Sequence, residues 1–416
     1  MQSTRGMHDI LPTEVKYWQY IYKIALDNLD IANYQEIRTP ILEDQSLFLK
    51  SIGEHTDIIN KEMYSFTDRG GRQLTLRPEG TAAIARSIIQ HKLCRQKQIQ
   101  RLWYMGPMFR YERPQHGRQR QFHQLGIECY GTTSPALDAQ IIYLADNILK
   151  KLQCNHYTIE LNSIGSLENR KEYDIKLRDY LTKYYKDLSS ESQSHFHNST
   201  IKLLDSKDHH LQEILSEGPQ ITSVLNSSSL KHLEEVKDCL YSMGVSYIIN
   251  PKLVRGLDYY NDTVFEFKTS LLGTQDTICG GGRYDTLTNQ LGCEAIPAVG
   301  WGMGLERLLL LVQKNLFLDT KTIHFYIATY GRGTINYALS IIPLFQESKF
   351  KYEIDFSTST IRKQIQKAHK KKAKICIIIG DEEINNQTIT VKWLDEYKQI
   401  TYSKQNFIKM IKSLSV

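Results

Sequence analysis

The stretch FRYERPQHGRQRQFHQLGIE (109–128) combines a concentration of positive charge with a single acid at its end. Proline, histidine and glycine interrupt its middle and separate two strand-like runs, so the stretch predicts a β-hairpin. Four arginines occur among its first twelve residues, whereas Glu128 is the only acid in the return run from Gln121. The hairpin therefore offers a ligand cationic contacts at one end and a carboxylate at the other.

The return strand predicts a polar face. Because side chains alternate along a strand, Gln124 and Glu128 share one face with Gly126 between them, over about 13 Å of extended chain. Since glycine has no side chain, we expect a molecule the size of an amino acid to lie against the backbone there. For this stretch alone, the alternative is a surface hairpin in which Glu128 pairs with a nearby arginine.

Two further stretches place charged or aromatic residues beside glycines. In TLRPEGTA (75–82), Glu79 directly precedes a helix-like run. Its carboxylate is either a favourable charge at the first helical turn or a ligand for an ammonium group. LVRGLDYYNDTVFEF (253–267) sets Arg255 and two tyrosines around a turn. Tyrosines more often fill a core than bind a ligand, although buried phenols usually need a hydrogen-bond partner.

The last pair of glycine-rich stretches is CGGGRYD (279–285) and AVGWGMGLERLLLLV (298–312). Glycines at alternate positions give a strand that a flat ring can approach closely, and Arg307 falls in the first turn of the helix that follows. An arginine at a helix N-terminus suits a phosphate. Glycine-rich sequence by itself is weak evidence for a phosphate site. The pattern G-x-x-x-x-G-K-[ST] is absent, which argues against a P-loop.

The length and composition of the chain favour several packed domains. It has 416 residues, of which 41% are hydrophobic, whereas single cores seldom grow beyond about 250 to 300 residues. No apolar signal precedes Met7, and no run approaches the roughly 18 apolar residues that cross a bilayer. Seven scattered cysteines without a C-x-x-C pair predict neither disulfides nor a metal site. We therefore expect a soluble, cytoplasmic protein that contacts no membrane.

The C-terminal part differs from the rest in charge. From Lys321 onward, 16 Lys and Arg stand against 8 Asp and Glu, a balance of +8, which leaves −2 for the preceding residues because the total is +6. Alternating strand-like and helix-like runs predict a small α/β domain here. A polyanionic partner is the functional interpretation, and a solvated helix end is the alternative for Lys370, Lys371 and Lys372.

Before this domain, the pattern predicts a mostly antiparallel sheet with added helices. Apolar residues at helical spacing favour a helix over 14–33, and EIRTPILE (36–43) indicates a strand. Because Pro40 has no N–H, that strand belongs at an edge or an interface. Charged, helix-favouring sequence from about 165 to 250 indicates a helical insertion, and the join to the C-terminal domain is expected near 314–322.

Several stretches taken together closely resemble a histidyl-tRNA synthetase of bacterial type, a class II aminoacyl-tRNA synthetase. They are GMHDILP, EIRTPILE, TLRPEGTA, GPMFRYERPQHGR, RQFHQLGIE, VRGLDYYNDTVFEF, GGGRYD and GMGLERL. The resemblance covers nearly the whole chain, and RGLDYY with GGGRYD is its most specific part because both resemble the family's own histidine-binding motifs.

The resemblance implies an α+β fold. Residues 1–320 would form the class II catalytic domain, an antiparallel six- or seven-stranded sheet flanked by helices, with a helical insertion at about 166–250. Residues 323–416 would form an anticodon-binding α/β domain. The family also implies a homodimer that is joined partly through the EIRTP segment.

The implied reaction converts L-histidine and ATP, with Mg²⁺, into histidyl-adenylate and pyrophosphate, and then transfers the histidyl group to the 3′ end of tRNA(His). Arg110 would hold the α-phosphate of ATP and Arg307 the γ-phosphate, with Glu112 as a further ATP-binding residue. Arg255, a catalytic residue together with Arg110, would stabilise the charge that develops as the carboxylate attacks.

The implied histidine-binding residues are Glu79, Thr81, Gln124, Glu128, Arg255, Tyr259, Tyr260 and Tyr284. The first three would receive the α-ammonium group, whereas Glu128 and Tyr260 would bind the two imidazole nitrogens. A site with two acceptors at a fixed separation rejects apolar analogues, because its buried polar groups are then left unpaired. In the hairpin loop, Arg113 and Gln115 would face the acceptor end of the tRNA.

Two other functions are compatible with the same fold. One is a non-catalytic paralogue, such as the regulatory subunit that activates the first enzyme of histidine biosynthesis. Such subunits typically lack the C-terminal domain and the arginines, both of which this chain has. The other is a tRNA-sensing module without turnover. Asp262 is a departure from the family, because relatives commonly carry a basic or neutral residue at that position.

Overall fold

The computed structural model describes residues 1–53, 56–95, 98–115, 117–206, 208–273, 276–318, 323–396 and 398–414. The chain divides into two compact units, Met1–Phe317 and Leu318–Val416. Residues 319–322, where the sequence places the end of the catalytic domain, lie outside the described residues.

The N-terminal unit mixes strands and helices. Its strands are β1 (Gln35–Glu36), β2 (Leu42–Asp44), β3 (Tyr64–Thr67), β4 (Gln73–Leu76), β5 (Gln100–Phe109), β6 (Gln121–Tyr130), β7 (Thr158–Ser163), β8 (Ile248–Ile249), β9 (Asn261–Lys268), β10 (Thr277–Arg283) and β11 (Ala298–Gly304). Its helices are α1 (Pro12–Ile31), α2 (Gln45–Ile52), α3 (Thr81–His91), α4 (Pro135–Lys151), α5 (Leu167–Thr182), α6 (Ser190–Asn198), α7 (His209–Ser216), α8 (Ser227–Ser242), α9 (Leu287–Gln290) and α10 (Leu305–Asn315).

The main sheet has the strand order β1-β5-β6-β11-β10-β9-β7-β8. Its six inner strands pair antiparallel with their neighbours, whereas the two-residue edge strands β1 and β8 pair parallel to β5 and β7. The predicted hairpin is confirmed as β5 and β6. Within the described residues the sheet thus has eight strands instead of the expected six or seven, because a two-residue strand is added at each edge of six antiparallel strands.

The prediction of one strand over EIRTPILE is wrong. Its beginning overlaps β1 of the main sheet, and its end forms part of β2 in a separate three-stranded sheet of order β2-β4-β3. Pro40 lies between them and cannot donate to a ladder. The carbonyl of the neighbouring Thr39 accepts instead from the Arg77 side chain at 3.0 Å. The chain therefore passes from one sheet to the other at this proline.

The alternating glycines of β11 separate the two faces of the sheet. Val299, Trp301 and Met303 are buried on the face opposite these glycines, and the Trp301 indole donates to the Ile141 carbonyl of α4 at 2.9 Å. Helix α4 begins with a proline in its first turn and ends with two lysines, both favourable positions. The large side chains thus pack against α4, which leaves the glycine face for the site.

The predicted helical insertion contains α5 to α8, between β7 and β8. A capping box starts α5, since Ser166 accepts from the Asn169 N–H and the Asn169 side chain accepts from the Ser166 N–H. The apolar residues Tyr173 and Leu177 of α5 belong to the same buried cluster as Tyr260 and Val264 of the sheet. The insertion therefore shares its core with the main sheet.

The C-terminal unit is an α/β domain, as predicted. Its elements are β12 (Phe325–Thr329), α11 (Thr334–Glu347), β13 (Tyr352–Ile354), α12 (Ile361–Lys370), β14 (Ile375–Ile379), α13 (Asp381–Asn385), β15 (Thr388–Trp393), β16 (Lys398–Ser403) and α14 (Lys404–Leu414). The sheet order is β13-β12-β14-β15-β16, with parallel pairs followed by antiparallel ones. The parallel half matches the expected strand and helix order. In the described parts of both units, no helix is long and apolar enough to span a membrane.

Candidate active site

Two adjoining cavities open on the glycine face of the main sheet. The larger has a volume of about 190 Å³ and is lined mainly by charged residues and glycines. The smaller, of about 80 Å³, is lined by tyrosines, Glu79 and Thr81. Arg110, Gln124 and Arg255 line both cavities. Two ligands bound in them would therefore meet beside two arginines.

Glycine is required on β10 at the point where the cavities join. A Cβ atom at Gly280 would lie 2.5 Å from Nη1 of Arg255, so only glycine lets this guanidinium lie across the strand. On the neighbouring β11, a Cβ atom at Gly300 would lie 2.0 Å from Oε2 of Glu128. The alternating glycines thus make room for the protein's own side chains as well as for a ligand.

The larger cavity is positively charged at Arg110 and Arg307. Nε of Arg110 donates to the Pro78 carbonyl at 2.9 Å, and Nη1 of Arg307 donates to the Thr277 carbonyl at 2.8 Å. Burial lowers the pKa of both guanidinium groups, and the charges of Arg118 and Arg110 lower that of Arg307 further. Arg307 lies in the first turn of α10, as predicted. Clustered cations whose pKa values are lowered favour an anionic ligand.

Glu112 also lines the larger cavity. Its carboxylate is buried and forms an ion pair with Arg118, and it lies 3.9 Å from Nη1 of Arg110. The structure therefore places Glu112 beside the predicted phosphate-binding arginine, but already paired with another residue of the hairpin.

At the smaller cavity, Glu79 caps helix α3. Its two carboxylate oxygens accept from the backbone N–H groups of Thr81 and Ala82, both at 2.7 Å. The alternative of a favourable charge at the helix start is thus confirmed. The same carboxylate lines the cavity, and burial raises its pKa above the ordinary 4.5. A buried acid at this position favours a cation in the cavity.

Glu128 lies beside the smaller cavity and is 1% exposed. It accepts hydrogen bonds from the Thr81 hydroxyl, at 2.7 Å, and from the Tyr284 hydroxyl. Burial raises the pKa of Glu128 to about 8, and the negative charge of Glu79 contributes to that increase. The alternative in which Glu128 pairs with an arginine is wrong, because its partners are two hydroxyl groups.

The expected open space at Gly126 is filled by Tyr104. The two residues face each other on β6 and β5, and a Cβ atom at Gly126 would lie 2.4 Å from Cζ of Tyr104. A Cβ atom at Gly80 would also lie 2.4 Å from this ring. Tyr104, which lines the smaller cavity, was missed because the sequence does not give the register of the hairpin.

Glu266 was missed as well. It faces Gly280 across β9 and β10, and its carboxylate forms an ion pair with Arg255. Burial by itself lowers the pKa of Arg255, but the negative charge of Glu266 together with the neighbouring Tyr260 and Tyr259 more than offsets burial and raises it. Arg255 is thus held as a cation at the junction of the cavities. A glycine with an acid opposite it on the next strand is the signal that could have indicated this pair.

Tyr259 and Tyr260 line the smaller cavity, and their ring centroids are 4.7 Å apart. Gln124 enters between the cavities, and its buried Oε1 has no hydrogen-bond partner among the described residues. An unpaired buried acceptor is costly unless a ligand satisfies it. The structure therefore brings Gln124, Tyr259 and Tyr260 together around one cavity.

The hairpin loop borders the larger cavity through Gly117, Arg118 and Gln119, whereas Arg113 and Gln115 are not among the residues that line it. The backbones of Gln115 and Arg118 exchange hydrogen bonds of 3.0 and 2.9 Å, which close its tip. The side chains of Arg113 and Gln115 are exposed, and His116 lies outside the described residues. The guanidinium of Arg120 is directed away to the Tyr111 ring, 3.7 Å from its centroid.

Comparison with known proteins gives a consistent result. Residues 6–308 match the family described as histidyl-tRNA synthetase, and residues 324–414 match the anticodon binding domain. The chain is 51% identical over 414 residues to the chloroplastic histidine--tRNA ligase of Gracilaria tenuistipitata var. liui, covering 100% of this chain and 98% of that one. It is 47% identical to the histidine--tRNA ligase of a Cyanothece species, covering 98% and 95%.

A solved structure agrees with these sequences. Apo histidyl-tRNA synthetase of S. aureus superposes with a TM-score of 0.82 at 34% identity, covering 99% of this chain and all of that one. The predicted fold class, an antiparallel class II sheet with a helical insertion and a C-terminal anticodon-binding domain, is thereby confirmed. With matching family, relatives and fold, this chain belongs to the histidyl-tRNA synthetases.

Proposed function

We propose that the larger cavity binds ATP and the smaller binds L-histidine, so that the histidine carboxylate meets the α-phosphate between Arg110 and Arg255. The protein activates histidine with ATP and transfers the histidyl group to tRNA(His). The observation that supports this arrangement is that both arginines line both cavities. Only at such a junction can one guanidinium contact both the histidine carboxylate, which attacks, and the α-phosphate, which is attacked.

The first step needs no covalent enzyme intermediate. An oxygen of the histidine carboxylate attacks the α-phosphorus, the bond to the bridging oxygen of the β-phosphate breaks, and pyrophosphate leaves with that electron pair. Arg110 and Arg255 offset the negative charge that gathers on the α-phosphate. Arg307, at the start of α10, holds the γ-phosphate. Glu112 supplies an acceptor for the hydrogen-bond donors of the nucleotide.

The histidine site uses the buried acids Glu79 and Glu128 and the side-chain amide of Gln124. Glu79 and Gln124 receive the α-ammonium group, with the Thr81 hydroxyl close by. Glu128 accepts a hydrogen bond from one imidazole nitrogen, and Tyr260 pairs with the other. Tyr284 and Thr81 orient the Glu128 carboxylate through their hydroxyl groups. The carboxylate of Glu79 faces the α-ammonium group, and the carboxyl group of Glu128 offers an acceptor to the imidazole.

Mg²⁺ is proposed to enter with ATP. Within the described residues, no group of three or more His, Cys, Asp or Glu side chains is arranged to hold a metal. Protein-bound Mg²⁺ commonly relies on one or two carboxylates together with substrate phosphates. The carboxylates of Glu112 and Glu306 line the larger cavity and fit that pattern. When bound, Mg²⁺ neutralises charge on the phosphates.

Exchange of radioactive pyrophosphate into ATP tests this function directly. We expect exchange that depends on histidine and that apolar analogues of similar size do not support. A non-catalytic regulatory paralogue or a tRNA-sensing module would give no exchange, although the second would still bind tRNA. Absence of histidine-dependent exchange from a folded protein would therefore overturn the proposal.

The exposed side chains of Arg113 and Gln115 in the hairpin loop are proposed to act only in the transfer step. Because the side chains of Arg113 and Gln115 are exposed beyond the phosphate-binding arginine, they are placed to contact the acceptor end of tRNA. Gln115→Ala should slow histidyl transfer to tRNA about tenfold, since it removes hydrogen bonding worth roughly 1 to 1.5 kcal/mol, and should leave pyrophosphate exchange unchanged. Single-turnover transfer from preformed adenylate measures the first quantity. Equal losses in both steps would place the loop at the ATP site instead.

For the C-terminal unit, we propose binding to the anticodon arm. The three lysines at the end of α12 are not equivalent, because Lys371 forms an ion pair with Glu353. Lys363 and Lys370 are exposed on one face of α12, two turns apart. Their positive charge is available to RNA phosphates.

Replacing both exposed lysines tests this contact. The double variant Lys363→Ala, Lys370→Ala should raise the KM for tRNA and reduce the slope of log affinity against log salt by about 2, roughly one for each lost phosphate contact. Lys409→Ala, an exposed lysine on α14, serves as the control and should change neither. An unchanged KM in the double variant would favour the solvated-helix interpretation.

A homodimer is proposed from exposed apolar residues near EIRTPILE. Ile41, Leu42 and Phe66 lie on or beside the three-stranded sheet and are 43%, 45% and 44% exposed. Burial against a second copy would remove this surface from water. Sedimentation velocity distinguishes dimer from monomer.

The cytoplasmic location stays a prediction, and the alternative compartment is the plastid, since the Gracilaria relative is named chloroplastic.

A further inference from the structure

Helix α8 of the insertion makes two polar side-chain contacts with β9 and α4, from residues that are less than one helical turn apart. The Ser229 hydroxyl donates to Oδ1 of Asp262 at 2.6 Å. Nε2 of His232 lies 2.8 Å from Oδ2 of the fully buried Asp138. Side chains at i and i+3 project from the same face of a helix, so these two polar side chains of α8 face β9 and α4.

A continuous series of polar contacts joins these two points. We name it the α8 network, and it consists of Ser229, Asp262, Asn261, Asp285, Arg283, Asp138 and His232. The Asn261 amide donates to Asp262 at 3.0 Å and to Asp285 at 3.2 Å. Arg283, which is 1% exposed, contacts Asp285 at 2.9 Å and Asp138 at 3.1 Å. A buried ionic network of this kind is costly to break, because its remaining charges lose their partners.

The α8 network passes directly beside the proposed histidine site. Tyr260 precedes Asn261 in the chain, and Tyr284 lies between Arg283 and Asp285. The rings of Tyr260 and Tyr284 are also near each other, with centroids 6.2 Å apart. Backbone that the network holds therefore flanks Tyr284 on both sides and Tyr260 on its C-terminal side.

The backbone at Asp262 is held by the segment that joins β7 to helix α5, at the start of the insertion. Asp262 has a φ of 47°, in the left-handed region that few residues other than glycine adopt, although Asp and Asn tolerate it. Its N–H donates to the Gly165 carbonyl at 2.9 Å, and its carbonyl accepts from the Ile164 N–H at 2.8 Å. This conformation directs the carboxylate to Ser229 while β9 begins at the adjacent Asn261.

The insertion also holds the residue that precedes the tyrosine pair. Nη1 of Arg170 in α5 donates to the Asp258 carbonyl at 3.1 Å. The N–H of Asp258 donates to the Ile52 carbonyl at 3.2 Å. Contacts from α5 and α8 thus lie on both sides of Tyr259 and Tyr260. A loop fixed at both ends loses little further conformational entropy when a ligand binds.

We propose that Ser229 and Asp262 are positioning residues for histidine, through which helix α8 sets the orientation of Tyr260 in the smaller cavity. The proposal rests on the role assigned above to Tyr260. Neither residue touches the substrate. Their contact acts through the backbone of residues 260–262, and it gives the helical insertion a part in amino-acid binding.

Ser229→Ala tests the contact, with Ser228→Ala as a matched control, because Ser228 is exposed on the same helix and undergoes the same chemical change. Ser229→Ala should raise the KM for histidine about threefold to tenfold, since it removes a hydrogen bond to a charged group and the loop transmits part of that loss. The KM for ATP and the kcat of exchange should stay unchanged. Ser228→Ala should match the wild type in all three.

Variants at Asp262 extend the test. Asp262→Asn keeps an acceptor for Ser229 and tolerates the left-handed backbone, so its histidine KM should stay near that of the wild type. Asp262→Ala loses both features and should raise the KM at least as much as Ser229→Ala. A general loss in KM, kcat and melting temperature in Ser229→Ala, or a histidine KM equal to that of Ser228→Ala, would overturn the proposal.

A double-mutant cycle with Tyr260→Phe separates this proposal from the function on which it rests. If Tyr260→Phe leaves the histidine KM unchanged, the role assigned to Tyr260 fails. If it raises the KM, Ser229→Ala should add little in that background, because the two changes affect the same contact. Fully additive effects would show that Ser229 does not act through Tyr260 and would overturn the positioning role.

Discussion

Arg255→Ala should lower the rate of histidine-dependent pyrophosphate exchange by about 10² to 10³, as loss of one transition-state donor typically does. Affinity for histidine should remain largely intact, because the charge that Arg255 meets develops mainly during the attack. The guanidinium lines both cavities, lies over Gly280 and pairs with Glu266. It is therefore fixed in place before the substrates arrive, and alanine removes that preorganised charge.

Controls for Arg255→Ala must account for Glu266, which loses its ion-pair partner in this variant. Glu266 would face the phosphates unpaired, so some of the loss could come from repulsion. Arg255→Ala combined with Glu266→Gln removes that charge, and the exchange rate of the double variant should stay close to that of the single one. Arg69→Ala, in the exposed turn between β3 and β4, should match the wild type. More than half of the wild-type rate in Arg255→Ala would contradict the assignment.

Glu128→Gln should raise the KM for histidine about tenfold to a hundredfold, because the N–H of the bound imidazole favours the ionised carboxylate and a hydrogen bond to a charged group contributes roughly 1.5 to 3 kcal/mol. The KM for ATP should hardly change, since Glu128 lies beside the smaller cavity. Its hydroxyl partners Thr81 and Tyr284 contact different carboxylate oxygens, so in the variant one hydroxyl can donate to the amide oxygen and the other can accept from the amide N–H, and the pocket should keep its shape. Both KM values come from one set of exchange measurements.

The pH dependence of stability distinguishes a binding role for Glu128 from a structural one. Its pKa in the folded protein is about 8, above the ordinary 4.5. Between these values the native state binds more protons than the unfolded state, so the free energy of unfolding falls as pH rises through this window. Glu128→Gln abolishes that titration and should melt at a higher temperature than the wild type at pH 8. A lower melting temperature with an unchanged histidine KM would instead indicate a structural role.

Local signals in the sequence were sufficient for much of the fold. The hairpin follows from two strand-like runs around a proline and a glycine, and the position of Arg307 follows from a glycine-rich strand that runs into an apolar helix. The same holds for the parallel half of the C-terminal unit. These features depend on residues that are close together in the chain, which is where periodicity and turn chemistry are informative.

Features that depend on register between distant strands could not be predicted. Tyr104 occupies the space at Gly126, and Glu266 pairs with Arg255, because each lies opposite a glycine on a neighbouring strand. The division of EIRTPILE between two sheets similarly depends on where β4 and β5 lie. In each case the deciding contact is made by residues far away in sequence, and only the resemblance to a family supplied the roles of the site residues.

The insertion and the main sheet share one apolar cluster, so we expect them to unfold together. Tyr173 and Leu177 of α5 pack in the same core as Tyr260 and Val264, so the insertion has no separate boundary at which it could melt alone. Local opening of these helices would expose the neighbours of the amino-acid pocket at the same time. Substitutions deep in the insertion, far from any substrate, would then lower the fraction of molecules that are competent to bind histidine.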